Sequence, residues 1–527
     1  MTFSAIRLLH EALTASARQY AGKHALVVEG VPHSYAELLD SASRLATALR
    51  ARGVQRGDRV AIYMDNTWPC VLSIFAVLLA GGVFLVINPQ TKSDKLAFIL
   101  DDSDAAVLLS DSHLAASFGA VLADTHKLKK VICSGLWPIP ALAGMPAGAI
   151  SVESFDDVMR NSIPLAQPEP SIPNDLAALI YTSGSTGSPK GVMHTHQSMV
   201  FAAESIAEYL RLSEGDRILC VLPLAFDYGL YQLLMTIRLG ATLILERSFT
   251  YPAQIFNRMR EHQVTVFPGV PTIYAMLLSM HARERLEFAS VTRVTNTAAA
   301  LPAAFQQQLR EVFPNTLIYR MYGLTECKRV CYLEPELADI KPDSVGKAIP
   351  GTEVFLLSPE GASVACGEAG ILHIRGPHVM LGYWKQPELS ARMLKSGTLP
   401  GERVLCSQDW FRMDEEGFLY FVGRSDDIIK TRGEKVSPVE VENVLHGIPG
   451  IREAAVVGIP DPLLGQVIRA YVALEPGASL SDKQIIKYCL ARLENFMVPK
   501  EVVFLPELPK TNTGKISKKT LGEKVSS

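Results

Sequence analysis

The sequence predicts an α/β protein with two parts: a large N-terminal domain of layered, mostly parallel sheets with helices, and a small, mobile α+β C-terminal domain. Strand-like and helix-like patterns alternate through the first third, the strand candidates are apolar and read as buried, and a second set of elements follows a polar stretch near residue 426. Alternation of this kind argues for helices packed on largely parallel sheets rather than for an all-helical or all-β chain. The 527 residues, 48% hydrophobic and 20% charged, have the composition of a folded globular chain able to bury large cores.

Taken in order, Ser34-Tyr35-Ala36-Glu37 opens an apolar-periodic run to about Leu49, and Arg59 to Met64 reads as a strand. Between Asp65 and Lys92 no side chain is charged, and Cys70 to Ile87 imitates a membrane span. Pro69 fits a helix start, however, and Gly81-Gly82 cut the run before the β-branched stretch Val83 to Ile87, so a buried helix, a turn and a buried strand are expected. The Pro-rich connection Pro164 to Pro173 leads into a buried-strand candidate, Leu176 to Tyr181. Gly417 to Gly423 is strand-like and is followed by Arg424-Ser425-Asp426-Asp427, which places a boundary between residues 1–425 and 426–527. Past it, a helix is expected from Pro438 and strands around 454–459 and 470–474.

The balance of 51 Lys+Arg against 54 Asp+Glu gives a net charge of -3, so no global basic field recruits nucleic acid or an anionic membrane. The eight cysteines are scattered without a C-x-x-C pair, which argues against a disulfide scaffold or structural zinc. The first residues lack the pattern of a secretory signal, and the expected location is the cytoplasm.

Chemistry concentrates in Tyr181-Thr182-Ser183-Gly184-Ser185-Thr186-Gly187-Ser188-Pro189-Lys190-Gly191, a run of hydroxyls and glycines directly after a strand. Glycines expose backbone N–H groups to oxyanions, hydroxyls add donors, and Lys190 can neutralise charge. A Gly/Ser-rich surface turn is the bland alternative, but the run closes on Pro-Lys-Gly and returns to Val192-Met193-His194-Thr195-His196. It is not a Walker A loop.

With this loop the chain resembles the adenylate-forming superfamily of acyl-CoA synthetases, aryl-CoA ligases, luciferases and peptide-synthetase adenylation domains. The resemblance continues, in the family's order, through Tyr322-Gly323-Leu324-Thr325-Glu326, Asp409-Trp410-Phe411, Gly423 to Asp427, Lys430-Thr431-Arg432-Gly433 and Pro509 to Lys515. It implies ATP-dependent activation of a carboxylic acid to an acyl-adenylate, then transfer of the acyl group to a thiol. CoA is the favoured thiol; an amino-acid adenylating enzyme that loads a phosphopantetheinyl acyl or peptidyl carrier protein is the alternative.

By motif position, Thr182, Ser183, Ser185, Thr186 and Lys190, with Gly184 and Gly187, are expected around the phosphates, and Thr325 at the α-phosphate. Glu326 is the implied Mg²⁺ carboxylate, a hard oxygen ligand for a hard ion. Tyr322 is expected against adenine, Asp409 on the ribose hydroxyls and Arg424 on ribose or phosphate. Lys515 resembles the mobile catalytic lysine of the small domain, Asp426 falls at the implied hinge, and Gly433 would approach the thiol arm.

Two motifs depart from the family pattern: Ser407-Gln408-Asp409 replaces Thr/Ser-Gly-Asp, and Thr297-Ala298-Ala299-Ala300 replaces Ser-Gly-Ala-Ala/Pro. On the acid side, Phe226 corresponds to a gating aromatic residue, and Gly269 and Ala298 to the pocket wall. Asp227 either binds a substrate ammonium, as in amino-acid-activating relatives, or is a surface or helix N-cap residue. Lys328 and Arg329 lie near the far wall or point to solvent; an inward Arg329 could pair with Asp227 or with a polar group of the acid. Val264, Val266, Pro268, Val270, Pro271 and Tyr274 supply either pocket lining or core.

Overall fold

The computed structural model describes residues 6–122, 125–139, 150–183, 189–297, 301, 303–424, 427–431, 434–461, 465–493, 495–511 and 516–523. Two large sheets dominate. In an eight-stranded sheet, Leu176–Ser183, Val83–Ile87, Arg59–Tyr63, Ala105–Asp111, Lys130–Ser134 and Ser151–Ser154 run parallel, and Pro189–Thr195 returns antiparallel beside Leu176–Ser183. In a nine-stranded sheet the central parallel strands lie in the order Leu317–Tyr322, Arg293–Asn296, Val266–Gly269, Arg217–Cys220, Thr242–Leu245 and His24–Val28.

The helices are placed by the apolar faces that the two sheets leave to be covered. Helix Tyr35–Ala51 starts where Ser34 accepts a hydrogen bond from the Glu37 backbone at 3.1 Å, which satisfies a donor the first turn cannot pair internally. Trp68–Leu79 carries Pro69 in its first turn, is buried from Cys70 to Leu79, and breaks at Gly81, whose φ of +78° favours glycine. Strand Val83–Ile87 follows, so the apolar run is a buried helix and strand. Among the described residues no helix is long and apolar enough to cross a membrane. These helices, with His196–Tyr209 and Asp227–Leu239, share one continuous core with residues of both sheets, including Leu45, Phe75, Phe84, Ile206, Leu219, Tyr231, Phe267 and Tyr319. An all-parallel stretch buried on both faces explains why these strands read as unbroken apolar runs.

A third, antiparallel sheet holds Glu353–Leu357, Gly370–Arg375, Arg403–Met413, Leu394–Ser396 and Leu419–Arg424. A fourth combines Glu434–Val436, Ile429–Thr431, Gly465–Leu474, Ile451–Asp461 and Glu501–Phe504 with helices Pro438–His446 and Asp482–Leu490. Val441, Leu445, Val456, Val472, Ile485 and Cys489 form a core of their own there, which among the described residues draws none from before Ile429. The helix from Pro438 and both expected strands are present, each strand longer than its apolar centre suggested.

One contact in the main core fixes an acid limit. The Leu9 backbone N–H donates to His196 Nδ1 at 3.2 Å, and the His10 ring meets His196 edge-on at 6.1 Å. Burial pushes His196 down to about 4 and His10 below its ordinary value. The unfolded chain therefore binds protons that the folded chain refuses between pH 6.5 and about 4. Stability from His196 is complete above 6.5 and is lost as pH falls through that window, at about 1.4 kcal/mol per pH unit. Urea unfolding across this range should show the decline, and His196→Gln should remove its share of the slope.

Candidate active site

The Thr/Ser/Gly-rich segment closes a hairpin. Thr182 pairs with Lys190 and Ser183 with Pro189, so the two strands end together, and Gly184, Ser185, Thr186 and Gly187 lie outside the described residues. The hairpin is locked from outside: the Trp384 backbone N–H donates to the Gly191 carbonyl at 2.7 Å, and Tyr181 donates to Asp102 Oδ2 at 2.6 Å. A Cβ on Gly191 would stand 3.1 Å from Tyr181 and 3.3 Å from Trp384, so glycine lets the two aromatics clasp the strand.

The short strand Gly382–Tyr383, paired with Val192 and Met193, brings in a residue that sequence reasoning missed. The Tyr383 hydroxyl donates to Glu326 Oε1 at 2.7 Å, while its ring lies 5.7 Å from the Lys190 ammonium. Tyr383 thus links the lysine of the hairpin to the carboxylate of Tyr-Gly-Leu-Thr-Glu. Its only signal was a Gly-Tyr-Trp run, which apolar periodicity cannot tell from core.

The remaining candidates gather through topology. Four parallel neighbours, Arg217–Cys220, Val266–Gly269, Arg293–Asn296 and Leu317–Tyr322, point their carboxyl ends the same way. The segments leaving them carry Phe226 and Asp227, Gly269, Thr297, and Thr325 to Arg329. Thr242–Leu245 lies on one side of Arg217–Cys220 and Val266–Gly269 on the other, so chain direction across the sheet reverses there; such switch points form ligand crevices in open α/β sheets.

After Leu317–Tyr322 the chain turns sharply. A Cβ on Gly323 would stand 2.2 Å from the Lys328 carbonyl oxygen, and Val330 N–H closes the turn on the Tyr322 carbonyl at 3.0 Å. Lys328 takes a left-handed φ of +64°. Buried His194 donates from Nε2 to the Thr325 carbonyl at 2.9 Å, and the Met380 N–H donates to the Glu326 carbonyl at 2.8 Å. Burial, then the Lys328 charge, holds His194 far below its ordinary range, so it is a neutral donor tying the turn to the hairpin strand.

The nucleotide-side trio is connected. Tyr322 donates to Asp409 Oδ2, and Arg424, directly across the ladder from Asp409, lies 3.8 Å from Oδ1. Burial raises the Asp409 carboxyl; the Arg424 charge and the Tyr322 hydrogen bond oppose that rise. The Tyr322 ring meets Phe411 edge-on at 4.8 Å. Gln408, where the family pattern has glycine, sits at a φ of +60°, a conformation costing a residue with a Cβ roughly 1–2 kcal/mol. The Ser407 hydroxyl steadies the same corner by accepting from the Asp409 N–H at 3.0 Å.

On the acid side, Phe226 is the cap residue of helix Asp227–Leu239 and Asp227 its first residue, where the helix dipole favours a negative charge. The solvent alternative for Lys328 and Arg329 is excluded, because their exposures are 2% and 5%. Arg329 does not pair with Asp227; its Nη1 donates to Thr297 Oγ1 at 2.9 Å and its guanidinium lies over Tyr228 at 5.3 Å. Lys328 is the cation that feels Asp227. Burial pushes its ammonium down to about 8, and Asp227 then Glu326 oppose the shift. Val264, Val266 and Tyr274 are fully buried core, and Tyr274 donates to the Phe267 and Thr295 carbonyls with its ring beneath Gly269.

Residues 13–384 match the AMP-binding enzyme family and residues 440–515 the AMP-binding enzyme C-terminal domain. The chain belongs to the AMP-binding enzyme family. It is 32% identical to a long-chain-fatty-acid–CoA ligase of Bacillus subtilis, over 98% of this chain and 94% of that protein. It is 33% identical to a feruloyl-CoA synthase of an Amycolatopsis species, over 94% and 95% of the two chains. The crystal structure of an anthranilate CoA ligase with anthranoyl-AMP superposes with a TM-score of 0.89 at 28% identity, covering 98% and 97%. These relatives are acid–CoA ligases for three dissimilar acids, so membership settles the reaction class and leaves the acid open.

In this AMP-binding enzyme, Thr182, Lys190, Tyr322, Thr325, Glu326, Asp409 and Arg424 are held on one connected set of elements. Thr186, Ala298, Asp426, Gly433 and Lys515 lie outside the described residues. Because the Gly323 contact is with backbone, Gly323→Ala must open the turn. It should cost about 2 kcal/mol or more in chemical denaturation and depress activity with every acid, whereas Gly22→Ala, with nothing near its Cβ and no left-handed φ, should spare activity.

Proposed function

We propose that this enzyme activates a carboxylic acid with ATP, forming an acyl-adenylate and pyrophosphate, and transfers the acyl group to CoA. The observation that carries the reading is the chain of contacts from Lys190 through Tyr383 to Glu326, which joins the hydroxyl- and glycine-rich hairpin to the turn after Leu317–Tyr322. Attack of one anion on another needs positive charge and rigid positioning where charge builds up, and no protein nucleophile. Lys190 and the loop it closes receive the β- and γ-phosphates, Thr325 the α-phosphate, and Asp409 with Arg424 the ribose. The carboxylate oxygen attacks the α-phosphorus, pyrophosphate leaves, and the thiol then displaces AMP from the acyl carbon.

Glu326 fits a magnesium ion: it offers a hard oxygen, and only Oε1 is engaged by Tyr383. Bound there, Mg²⁺ would neutralise phosphate charge. The Tyr383 hydroxyl holds the carboxylate in orientation, so Tyr383→Phe should raise the Mg²⁺ concentration for half-maximal activity roughly tenfold, with little change in the KM for the acid. An unchanged Mg²⁺ dependence would remove this role.

Residues 1–425 and 426–527 act as two domains in this reading, supported by the separate core past Ile429. Lys515 reaches the adenylation site in one orientation, and Gly433 lines the thiol path after rotation about Asp426. Lys515→Ala should slow adenylate formation roughly 100-fold or more while sparing thioester formation from supplied acyl-AMP; equal loss of both half-reactions would contradict it.

Loading of an amino acid onto a carrier protein requires Asp227 to be free for a substrate ammonium. The Asp227 charge already acts on a cation of the chain, the Lys328 ammonium, which favours the CoA-ligase reading. ATP–pyrophosphate exchange over fatty, aryl and amino acids, for the native chain and Asp227→Ala, decides. Exchange with non-amino acids retained in the variant supports CoA ligation; exchange confined to amino acids and lost in the variant overturns it.

A further inference from the structure

We infer that the acid activated by this enzyme carries a second anionic group, a carboxylate, and that Lys328 and Arg329 receive it. This rests on the acid–thiol ligase reading and names its substrate class. Both cations are sealed from solvent, at 2% and 5% exposure. Among the described residues the Lys328 ammonium has no hydrogen-bond partner, and it lies 5.6 Å from the centre of the Tyr231 ring. Arg329 gives one N–H to the neutral Thr297 hydroxyl, and its Nε–H has no acceptor. The buried Tyr231 hydroxyl is also unpartnered.

These three groups share a place and a polarity. Tyr231 stands one helical turn beyond Asp227, on the helix that faces the turn bearing Lys328 and Arg329; Arg329 bridges from that turn to Thr297, at the carboxyl end of Arg293–Asn296. Ammonium and guanidinium accept no hydrogen bonds, so only an acceptor can complete them. Burying a cation without a partner is costly, and a planar guanidinium is shaped for a carboxylate.

Charge points the same way. Asp227 and then Glu326 are the carboxylates whose charge acts on Lys328, and Glu326 is also engaged by the Tyr383 hydroxyl. Among the described residues neither carboxylate forms an ion pair with Lys328 or Arg329, so the two buried cations have no direct counter-anion. An alkyl or unsubstituted aryl tail would leave all three donor groups unpaired, and an amino-acid ammonium would add a further cation. A second carboxylate satisfies both the charge and the donors.

The test is ATP–pyrophosphate exchange with linear dicarboxylates of four to ten carbons and the three benzenedicarboxylates. Each is paired with its matched monocarboxylate, and α-amino acids are included. The expected result is that the best dicarboxylate exceeds its partner in kcat/KM by on the order of 100-fold or more. In Lys328→Met and Arg329→Met that ratio should fall toward one, with partial recovery in Arg329→Lys. If a variant does not fold, the native panel decides alone. Monocarboxylates equal to or better than every matched dicarboxylate would overturn the inference and leave the ligase reading intact, whereas exchange confined to amino acids would overturn both the inference and the CoA branch of that reading. No exchange with any acid, in a protein that binds ATP by titration, would remove the ligase reading and this inference together.

Discussion

The turn that follows Leu317–Tyr322 is the constraint on which the site depends. It exists because Gly323 lets the chain pass against the Lys328 carbonyl where a side chain would collide. In eight residues it delivers Tyr322 to Asp409, Thr325 and Glu326 to the hairpin, and Lys328 and Arg329 to the acid side. His194 and Met380 bind its carbonyls, so the turn is fixed to the hairpin strand and to the segment before Tyr383. Nucleotide and acid sites are therefore parts of a single backbone feature.

Around that turn the molecule is built to exclude freedom. Helices packed against both large sheets leave the parallel strands with open carboxyl ends, and those ends are where polar side chains collect. Neutral buried His194, left-handed Gln408 and Lys328, and unpaired donors on Lys328 and Arg329 are each unfavourable for folding alone. Their concentration beside one crevice is the usual mark of a site where geometry serves a ligand rather than stability.

Much of this was legible in the sequence. Alternation of helix and strand patterns announced the layered sheets, Gly81-Gly82 separated a buried helix from a buried strand, and Ser34 and Pro438 marked helix starts. The glycine- and hydroxyl-rich segment lies at the end of a hairpin, as its position after a strand required. What stayed hidden depended on tertiary contact. Tyr383 reads as core until its strand pairs with Val192 and Met193. Arg329 and Lys328 could not be assigned to pocket or solvent, because the direction of a side chain after a tight turn is set by backbone dihedrals rather than by pattern. Val264, Val266 and Tyr274 proved to be core, while Val270 and Pro271 are only partly buried.

The most direct test of the central claim follows the carboxylate oxygen. Acid labelled with ¹⁸O in its carboxyl group, converted in the presence of ATP and CoA, should give AMP bearing one ¹⁸O atom by mass spectrometry, because attack on the α-phosphorus leaves that oxygen on the nucleotide. ADP with ¹⁸O in inorganic phosphate would instead mean attack at the γ-phosphorus, and would contradict the adenylate mechanism.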